Sequence, residues 1–146
     1  MRGLIAKFGG WLGRLWGADG RTARADVALG ARGEALAAKH LERAGYRILE
    51  RNARVPMGEA DLVALAPDGV HVLVEVKTRA RGKNARSDRA APELAITSHK
   101  RRKLRTIARH LARANQWTQV RVDVIAVEWP RGGGEPVLRH YAGVRV

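Results

Sequence analysis

The sequence predicts an α/β domain in which helices flank a central sheet, and three observations lead to this prediction. Two segments, residues 30–44 and 98–114, place apolar side chains at helical spacing. Apolar runs rich in β-branched residues indicate strands, over residues 46–52, in a hairpin at 58–78, and over 120–128 and 137–141. The chain has 146 residues, of which 45% are hydrophobic, and this is enough for one domain with its own core.

Residues Met1–Ala28 are predicted to be an appendage that precedes a single domain over residues 29–146. Several glycines interrupt this segment, although apolar side chains that include Trp11 and Trp16 recur at helical spacing. Two interpretations follow: a flexible or capping tail, or a short amphipathic helix that binds a partner or a membrane surface. We expect the domain to fold without it.

The first helix of the domain is predicted over residues 30–44 and should end at Gly45, which suits the left-handed position after a helix. Its apolar face includes Ala37 and Leu41, and Glu34 falls on that same face. A glutamate in the first turn would interact favourably with the helix dipole. A glutamate that faces the sheet beside other carboxylates would instead belong to a functional site, and the sequence leaves both interpretations open.

The stretch Gly58–Thr78 is predicted to form a β-hairpin around the turn Pro67-Asp68-Gly69. Pro67 and Asp68 suit the central positions of a type I turn, and Gly69 suits the left-handed position that follows. The strand pairs that this turn predicts are Leu65 with His71, Val63 with Leu73, and Asp61 with Glu75.

The last of these pairs brings two carboxylates together near the end of the hairpin. Directly opposed residues share a face and lie about 5 Å apart at Cβ. Asp61 and Glu75 would therefore repel each other unless a cation lies between them. Lys77 follows Glu75 by two positions and shares its face, so the sequence predicts a cluster of Asp, Glu and Lys side chains.

The strand predicted over residues 120–128 contains Arg121 and Asp123 in an otherwise apolar run. The final strand, over residues 137–141, is predicted to lie at an edge of the sheet. We interpret His140 on that strand as a packing or surface residue rather than a ligand, because no partner lies close to it in the sequence.

Charge indicates the class of partner. The chain carries 28 basic and 14 acidic residues, a net charge of +14, and most of the basic residues are arginines. This composition favours a polyanion, nucleic acid before membrane, although a generally basic proteome would give the same balance. The absence of cysteine excludes disulfides and thiolate metal sites. No apolar run is long enough to span a bilayer, and we expect a cytoplasmic protein.

Two segments carry the candidate phosphate contacts. A basic loop is predicted from Arg79 to Ala91, directly after Lys77, and a solvated linker is its alternative interpretation. The second helix should present arginines on its outer face, with Lys100 on its inner face near the start. The residues predicted to contact nucleic acid are Arg79, Arg81, Lys83, Lys100, Arg101, Arg102, Arg105 and Arg109.

The order of elements and polar residues resembles the PD-(D/E)xK nuclease superfamily and, more closely, the YraN family of uncharacterised proteins. The matching residues, spread over positions 29–141, are Gly33-Glu34 with Ala37 downstream, Gly45-Tyr46, Arg51-Asn52, Gly58-Glu59-Ala60-Asp61-Leu62, Val74-Glu75-Val76-Lys77-Thr78-Arg79, Lys100 and Arg121-x-Asp123. Ala60 stands where the family usually has an isoleucine-like residue. The resemblance implies a restriction endonuclease-like fold, with a mixed central sheet of four to five strands, similar to that of archaeal Holliday-junction resolvases.

The resemblance also implies a site and a function. Glu34, Asp61 and Glu75 would be metal ligands, and Lys77 would be the catalytic lysine. Because Mg²⁺ or Mn²⁺ prefers oxygen ligands, the main-chain carbonyl of Val76 is a further candidate ligand. The implied function is a metal-dependent DNA endonuclease, with branched or otherwise structured DNA among its candidate substrates. Two alternatives stay open: a nucleic-acid-binding module of the same fold with weak or no catalysis, and a protein that acts through its N-terminal segment. A homodimer is also left open.

Overall fold

A mixed sheet of five strands forms the centre of the fold, in a computed structural model that describes residues 20–81 and 96–146. The elements are α1 (Gly20–Arg43), β1 (Arg47–Val55), β2 (Gly58–Leu65), β3 (His71–Arg81), α2 (Ser98–Asn115), β4 (Val120–Pro130) and β5 (Val137–Tyr141). The strands lie in chain order; β3 and β4 are parallel, and the other neighbours are antiparallel. The predicted α/β class, with a mixed sheet flanked by helices, is confirmed.

Each face of the sheet buries one apolar layer against a helix. The layer under α1 contains Ala37, Ala38, Leu41, Leu62, Val72, Val74, Ile125 and Val127. The layer under α2 contains Val63, Leu73, Leu104, Ile107, Ala108, Leu111, Val122 and Val124. Neighbouring residues of β3 alternate between the two layers, because successive side chains of a strand point to opposite faces. The apolar stripes predicted for both helices are therefore the buried ones.

The first helix is longer than the sequence predicted. It begins at Gly20, so the expected start at Gly30 was wrong, while its end at Arg43 agrees with the capping role of Gly45, whose φ is +85°. Residues 24–28 are exposed, and a helical turn without an apolar stripe gives no periodic signal. The domain boundary at Leu29 stays a prediction, and Trp11 and Trp16 lie outside the described residues. Of the helices described, neither combines the length and apolar character needed to cross a bilayer.

The β2–β3 turn has the predicted form. Gly69 adopts a φ of +84°, and its N–H donates to the carbonyl of Ala66 at 2.9 Å. The observed register confirms the predicted pairs Leu65–His71 and Val63–Leu73. The ladder ends at Leu62–Val74, one step before the third predicted pair.

Several strand boundaries differ from the predicted ones. The strand β1 extends to Val55 and meets β2 through a turn of only two residues, Pro56 and Met57. The strand β3 extends to Arg81, so Arg79 and Arg81 lie in the strand and not in the predicted basic loop. Both extensions follow from pairing. Residues 53–55 of β1 pair with β2, and β4 continues beside β3 as far as Pro130, so each extension has the backbone partners that a loop would lack. The predictions for α2 and β5 agree with the structure.

Gly33 lets α1 approach β3 closely. A Cβ atom at this position would overlap Oγ1 of Thr78. Gly33→Ala is therefore expected to lower the free energy of unfolding by about 1–3 kcal/mol, the usual cost of overpacking. Because Glu34 is the next residue, the same contact determines where that carboxylate meets the sheet.

Gly30, less than one helical turn earlier, provides the matched control. No atom lies within 4 Å of a Cβ at that position, so Gly30→Ala is expected to raise the free energy of unfolding by about 0.5–1 kcal/mol. Chemical denaturation of both variants measures the two effects. Effects of the same sign would contradict the close approach of α1 at Gly33.

Candidate active site

Asp61 and Glu75 come together where the ladder between β2 and β3 ends. The Oδ2 atom of Asp61 accepts a hydrogen bond from the main-chain N–H of Val76 at 2.7 Å, so a side chain of β2 takes over the link to β3 just beyond Leu62–Val74. This bond holds the Asp61 carboxyl beside the residue that follows Glu75. Asp61 and Glu75 are therefore close together, as the turn predicted, and the contact that brings them together is a side-chain hydrogen bond of Asp61.

The Asp61 carboxyl is shifted strongly towards its protonated form. Burial is the largest cause and repulsion by Glu75 is the second, and together they raise the pKa of Asp61 from 3.8 to about 7, against the Val76 hydrogen bond. Glu34 adds to the rise and Lys100 opposes it. Without a cation, the proximity of these carboxyls therefore lowers the stability of the folded protein when Asp61 is ionised.

Glu75 is a buried charge, with only 3% of its surface exposed. Its Oε1 atom contacts two ammonium groups, Lys77 Nζ at 3.1 Å and Lys100 Nζ at 3.0 Å. Its Oε2 atom is also buried, and within the described parts of the chain it has no hydrogen-bond partner. A buried polar atom without a partner is costly and uncommon, and therefore indicates a place for a further ligand.

Glu34 approaches the same region from α1. It is half-buried, and burial is the main reason that its pKa is raised; the carboxylates of Glu59 and Glu75 raise it further, and a hydrogen bond with Asn52 lowers it. Glu34 is therefore the sheet-facing glutamate of the two interpretations that the sequence left open. We refer to Glu34, Asp61, Glu75, Lys77 and Lys100 as the carboxylate–lysine cluster.

The cluster has the donor chemistry of a divalent-cation site. Mg²⁺ binds through one or two carboxylates and keeps several waters, and Asp61 and Glu75 offer two carboxylates, with Oε2 of Glu75 unpartnered. Over residues 20–81 and 96–146, no three His, Cys, Asp or Glu side chains are close enough to enclose a metal ion. The predicted set of three ligands is thus not assembled as such, and Glu34 interacts electrostatically with the other two carboxyls.

The residues predicted to contact phosphates lie in different environments. Arg79, Arg102 and Arg109 are exposed, as a backbone contact requires. The side chain of Arg81 and all of Lys83 lie outside the described parts. Lys100 is ion-paired to Glu75 and therefore belongs to the carboxylate–lysine cluster.

Two further arginines of α2 hold the last residues of the chain. Arg101 donates to the carbonyls of Ile96 and Arg145, each at 3.2 Å, and Arg105 donates to the carbonyl of Val146 at 3.5 Å. Between α2, β4 and this segment lies a cavity of about 330 Å³, and Arg105, Arg109 and Arg145 line part of it. The arginine face of α2 is therefore partly structural, which the sequence did not indicate.

A second polar cluster surrounds Asp123, a fully buried residue of β4. Its carboxylate accepts hydrogen bonds from Arg121, at 3.0 and 3.3 Å, from His140 Nε2 at 2.9 Å and from the main-chain N–H of Gly143 at 2.9 Å. Burial alone would raise the pKa of Asp123, but these hydrogen bonds outweigh it and lower the pKa. Arg121 in turn donates to the Tyr46 hydroxyl at 2.8 Å. We refer to these residues as the Asp123 cluster.

His140 packs as predicted, but it has a polar partner that the sequence interpretation missed. This partner is Asp123, which lies 17 positions earlier in the chain. Asp123 and His140 meet because β4 and β5 pair. The signal that could have found the contact is Asp123 itself, since a buried aspartate in an apolar strand needs donors.

The comparisons with known proteins match a region that contains the carboxylate–lysine cluster and Asp123. The family model described as uncharacterised protein family UPF0102 matches residues 33–127. The chain belongs to this family. Among UPF0102 proteins, that of Corynebacterium efficiens is 41% identical over 116 residues, which cover 80% of this chain and 90% of the relative. That of Renibacterium salmoninarum is 44% identical over 124 residues, which cover 83% and 98%.

A solved structure of an EndoMS–dsDNA2 complex is also similar to this UPF0102 chain. The TM-score is 0.36 and the sequence identity 16%, over 79% of this chain and 39% of that chain. The family match is the closer relation, and its range includes Glu34, Asp61, Glu75, Lys77 and Lys100.

Proposed function

We propose that this protein is a divalent-metal-dependent DNA endonuclease that hydrolyses phosphodiester bonds at the carboxylate–lysine cluster. The observation that carries the proposal is the environment of Glu75, a buried carboxylate with one oxygen between two lysines and the other without a partner. The large majority of buried side-chain polar atoms have a hydrogen-bond partner, so an exception in a carboxylate cluster favours a functional role. The high pKa of Asp61 supports the same view, because groups perturbed by burial and by a like charge concentrate at functional sites.

Asp61 and Glu75 would hold Mg²⁺ or Mn²⁺. The main-chain carbonyl of Val76 is a proposed further ligand, and Glu34 would orient a water in the outer part of the site. When bound, the ion would lower the pKa of a water and stabilise the charge of the leaving oxygen. The protein would contribute two oxygen donors on adjacent strands, which rigid elements hold in place.

Lys77 would act on the reacting groups and not on the ion. Its ammonium lies 3.1 Å from Glu75 and is about one third exposed, so a phosphate can reach it from solvent. A protonated lysine is a hydrogen-bond donor, and we therefore assign Lys77 to stabilising the negative charge that develops on the phosphate. The exposed arginines Arg79, Arg102 and Arg109 would bind neighbouring phosphates.

Cleavage of a panel of DNA substrates tests the proposal. The panel contains linear duplex, four-way branched, flapped and single-stranded DNA, each with Mg²⁺, with Mn²⁺ or with a chelator. We expect cleavage that requires the metal and falls by about 10²-fold or more in Lys77→Met, as when one transition-state donor is removed. Lys103→Met, which removes the same charge from an exposed position of α2, is the control.

A second candidate function follows from the spacing of the carboxyls. Because the described residues contain no enclosed three-carboxylate site, a nucleic-acid-binding module with weak or no catalysis fits them as well. DNA binding by the wild-type protein without metal-dependent cleavage of any substrate would establish this module and contradict the nuclease.

DNA binding is expected to be tolerant of sequence and sensitive to salt, because contacts to phosphates release counterions. The double variant Arg102→Gln with Arg109→Gln should lower the slope of log affinity against log salt by about 2. The matched control, Lys39→Gln with Arg43→Gln, removes two charges from exposed positions of α1, on the opposite face of the sheet. Fluorescence anisotropy over a range of salt concentrations measures the slopes, and an unchanged slope in the α2 variant would contradict the contact.

A further inference from the structure

Lys100 contributes to the carboxylate–lysine cluster from α2, whereas the other members lie on α1, β2 and β3. It lies in the first turn of α2, and its ammonium is 3.0 Å from the same Glu75 oxygen that Lys77 contacts at 3.1 Å. Two ammonium groups thus share one carboxylate oxygen, while Oε2 of Glu75 has no partner among the described residues. The two cations therefore compete for the same Glu75 oxygen.

The backbone of Lys100 is held in place and its side chain is not enclosed. Its N–H donates to the capping hydroxyl of Thr97 at 3.2 Å, and the next residue, Arg101, donates to the Ile96 carbonyl. The side chain is 31% exposed and contacts Glu75 through the ammonium at its flexible end. A change of partner therefore requires rotation of one side chain, with no movement of α2.

A divalent ion at Glu75 would place three cationic groups around one carboxylate. Like charges at this distance disfavour one another, so one ammonium must give way. Lys77 is two residues from Glu75 on the same strand and stays near it, whereas Lys100 is anchored on α2, the element that carries exposed arginines. Lys100 can therefore leave Glu75 for a phosphate of the DNA, whereas Lys77 contacts the reacting phosphate while it stays beside Glu75.

We propose that Lys100 is a resident counterion of Glu75 that is displaced by the divalent ion and then binds a phosphate oxygen of the DNA. The proposal rests on the proposed function, since it takes Asp61 and Glu75 as the ion's ligands. It gives Lys100 two successive partners: the Glu75 carboxylate in the free protein and the DNA backbone in the loaded one. Binding of metal and binding of DNA would thereby be coupled through one side chain.

Metal affinity of the free protein gives the first test. Calorimetric titration with Mn²⁺ should show an affinity about fivefold or more higher for Lys100→Met than for the wild type, because a competing cation has been removed. Lys100→Arg keeps the charge and should stay close to the wild type. Lys103→Met, on the same helix, is the control for net charge. Thermal unfolding of each variant establishes that it is folded.

DNA affinity gives the second test, which does not depend on cleavage. With Ca²⁺ in place of Mg²⁺, Lys100→Met should lower the salt slope of DNA binding by about 1, and with a chelator it should leave the slope unchanged. A purely structural Lys100 would change both slopes or neither. Equal Mn²⁺ affinities of Lys100→Met and Lys103→Met would overturn the inference and leave the nuclease proposal standing. A wild-type protein that binds no Mn²⁺ would overturn both.

Discussion

Asp123→Ala is expected to lower the free energy of unfolding by about 3–5 kcal/mol, the range seen when one partner of a buried ion pair is removed. Asp123 is fully buried, and Arg121, His140 and the Gly143 N–H all donate to it. Its removal would leave the Arg121 guanidinium, which is 25% exposed, without its main acceptor. Chemical denaturation at neutral pH measures the loss.

The matched control is Glu128→Ala on the same strand. Glu128 also pairs with an arginine, Arg139 at 3.1 Å, but both side chains are 30–39% exposed. Such a pair is worth about 0–1 kcal/mol, so a similar loss for both variants would contradict the importance of burial at Asp123.

The stability that Asp123 contributes depends on pH with a definite sign. Because the folded state lowers the pKa of Asp123, the stability it contributes is present above the ordinary value of 3.8 and is lost as the pH falls through the lowered one.

Asp61→Asn is expected to have the opposite effect and to stabilise the metal-free protein by about 2–4 kcal/mol at pH 8. The amide can still accept the Val76 hydrogen bond, but it carries no charge to be buried beside Glu75. The folded state raises the pKa of Asp61 from 3.8 to about 7, so folding favours the protonated form. The cost of ionised Asp61 is therefore absent below pH 3.8, grows as the pH rises to about 7 and is constant above it.

Denaturation of wild type and Asp61→Asn between pH 4 and 8, with a chelator present, measures this effect. The difference between them should increase with pH, whereas Glu42→Gln, at an exposed position of α1, should stay within about 0.5 kcal/mol of the wild type. A stabilising substitution at a carboxylate is typical of a site kept for function at a cost in stability. A destabilising Asp61→Asn would indicate a structural role for Asp61.

Local chemistry made part of this fold predictable from the sequence. The Pro67-Asp68-Gly69 turn specifies its own geometry, and once the turn is known the pairing of β2 with β3 follows by counting. The apolar stripe of α2 is likewise periodic and needs no knowledge of its partner. The first ten residues of α1 lack such a stripe, so no periodic pattern indicates that the helix includes them.

The candidate site was predictable in its composition but not in its contacts. Asp61, Glu75 and Lys77 are linked by one hairpin, so their proximity follows from register. Lys100 meets Glu75 only because the crossover between β3 and β4 brings the start of α2 to this end of the sheet. The Asp123 cluster similarly joins residues as distant as Tyr46 and Gly143. Contacts of this kind depend on tertiary arrangement, which periodicity does not encode.

The titration of Mn²⁺ into wild type and Asp61→Asn at pH 7, in buffers of different ionisation enthalpy, tests the metal site most directly. We expect the wild type to bind the ion and release about half a proton per ion, because Asp61, with a pKa of about 7, is about half protonated at this pH and must be ionised to become a ligand. Asp61→Asn should bind at least about tenfold more weakly and release no proton from this position. A wild-type protein that binds no divalent ion, with or without DNA, would contradict a metal site at Asp61 and Glu75.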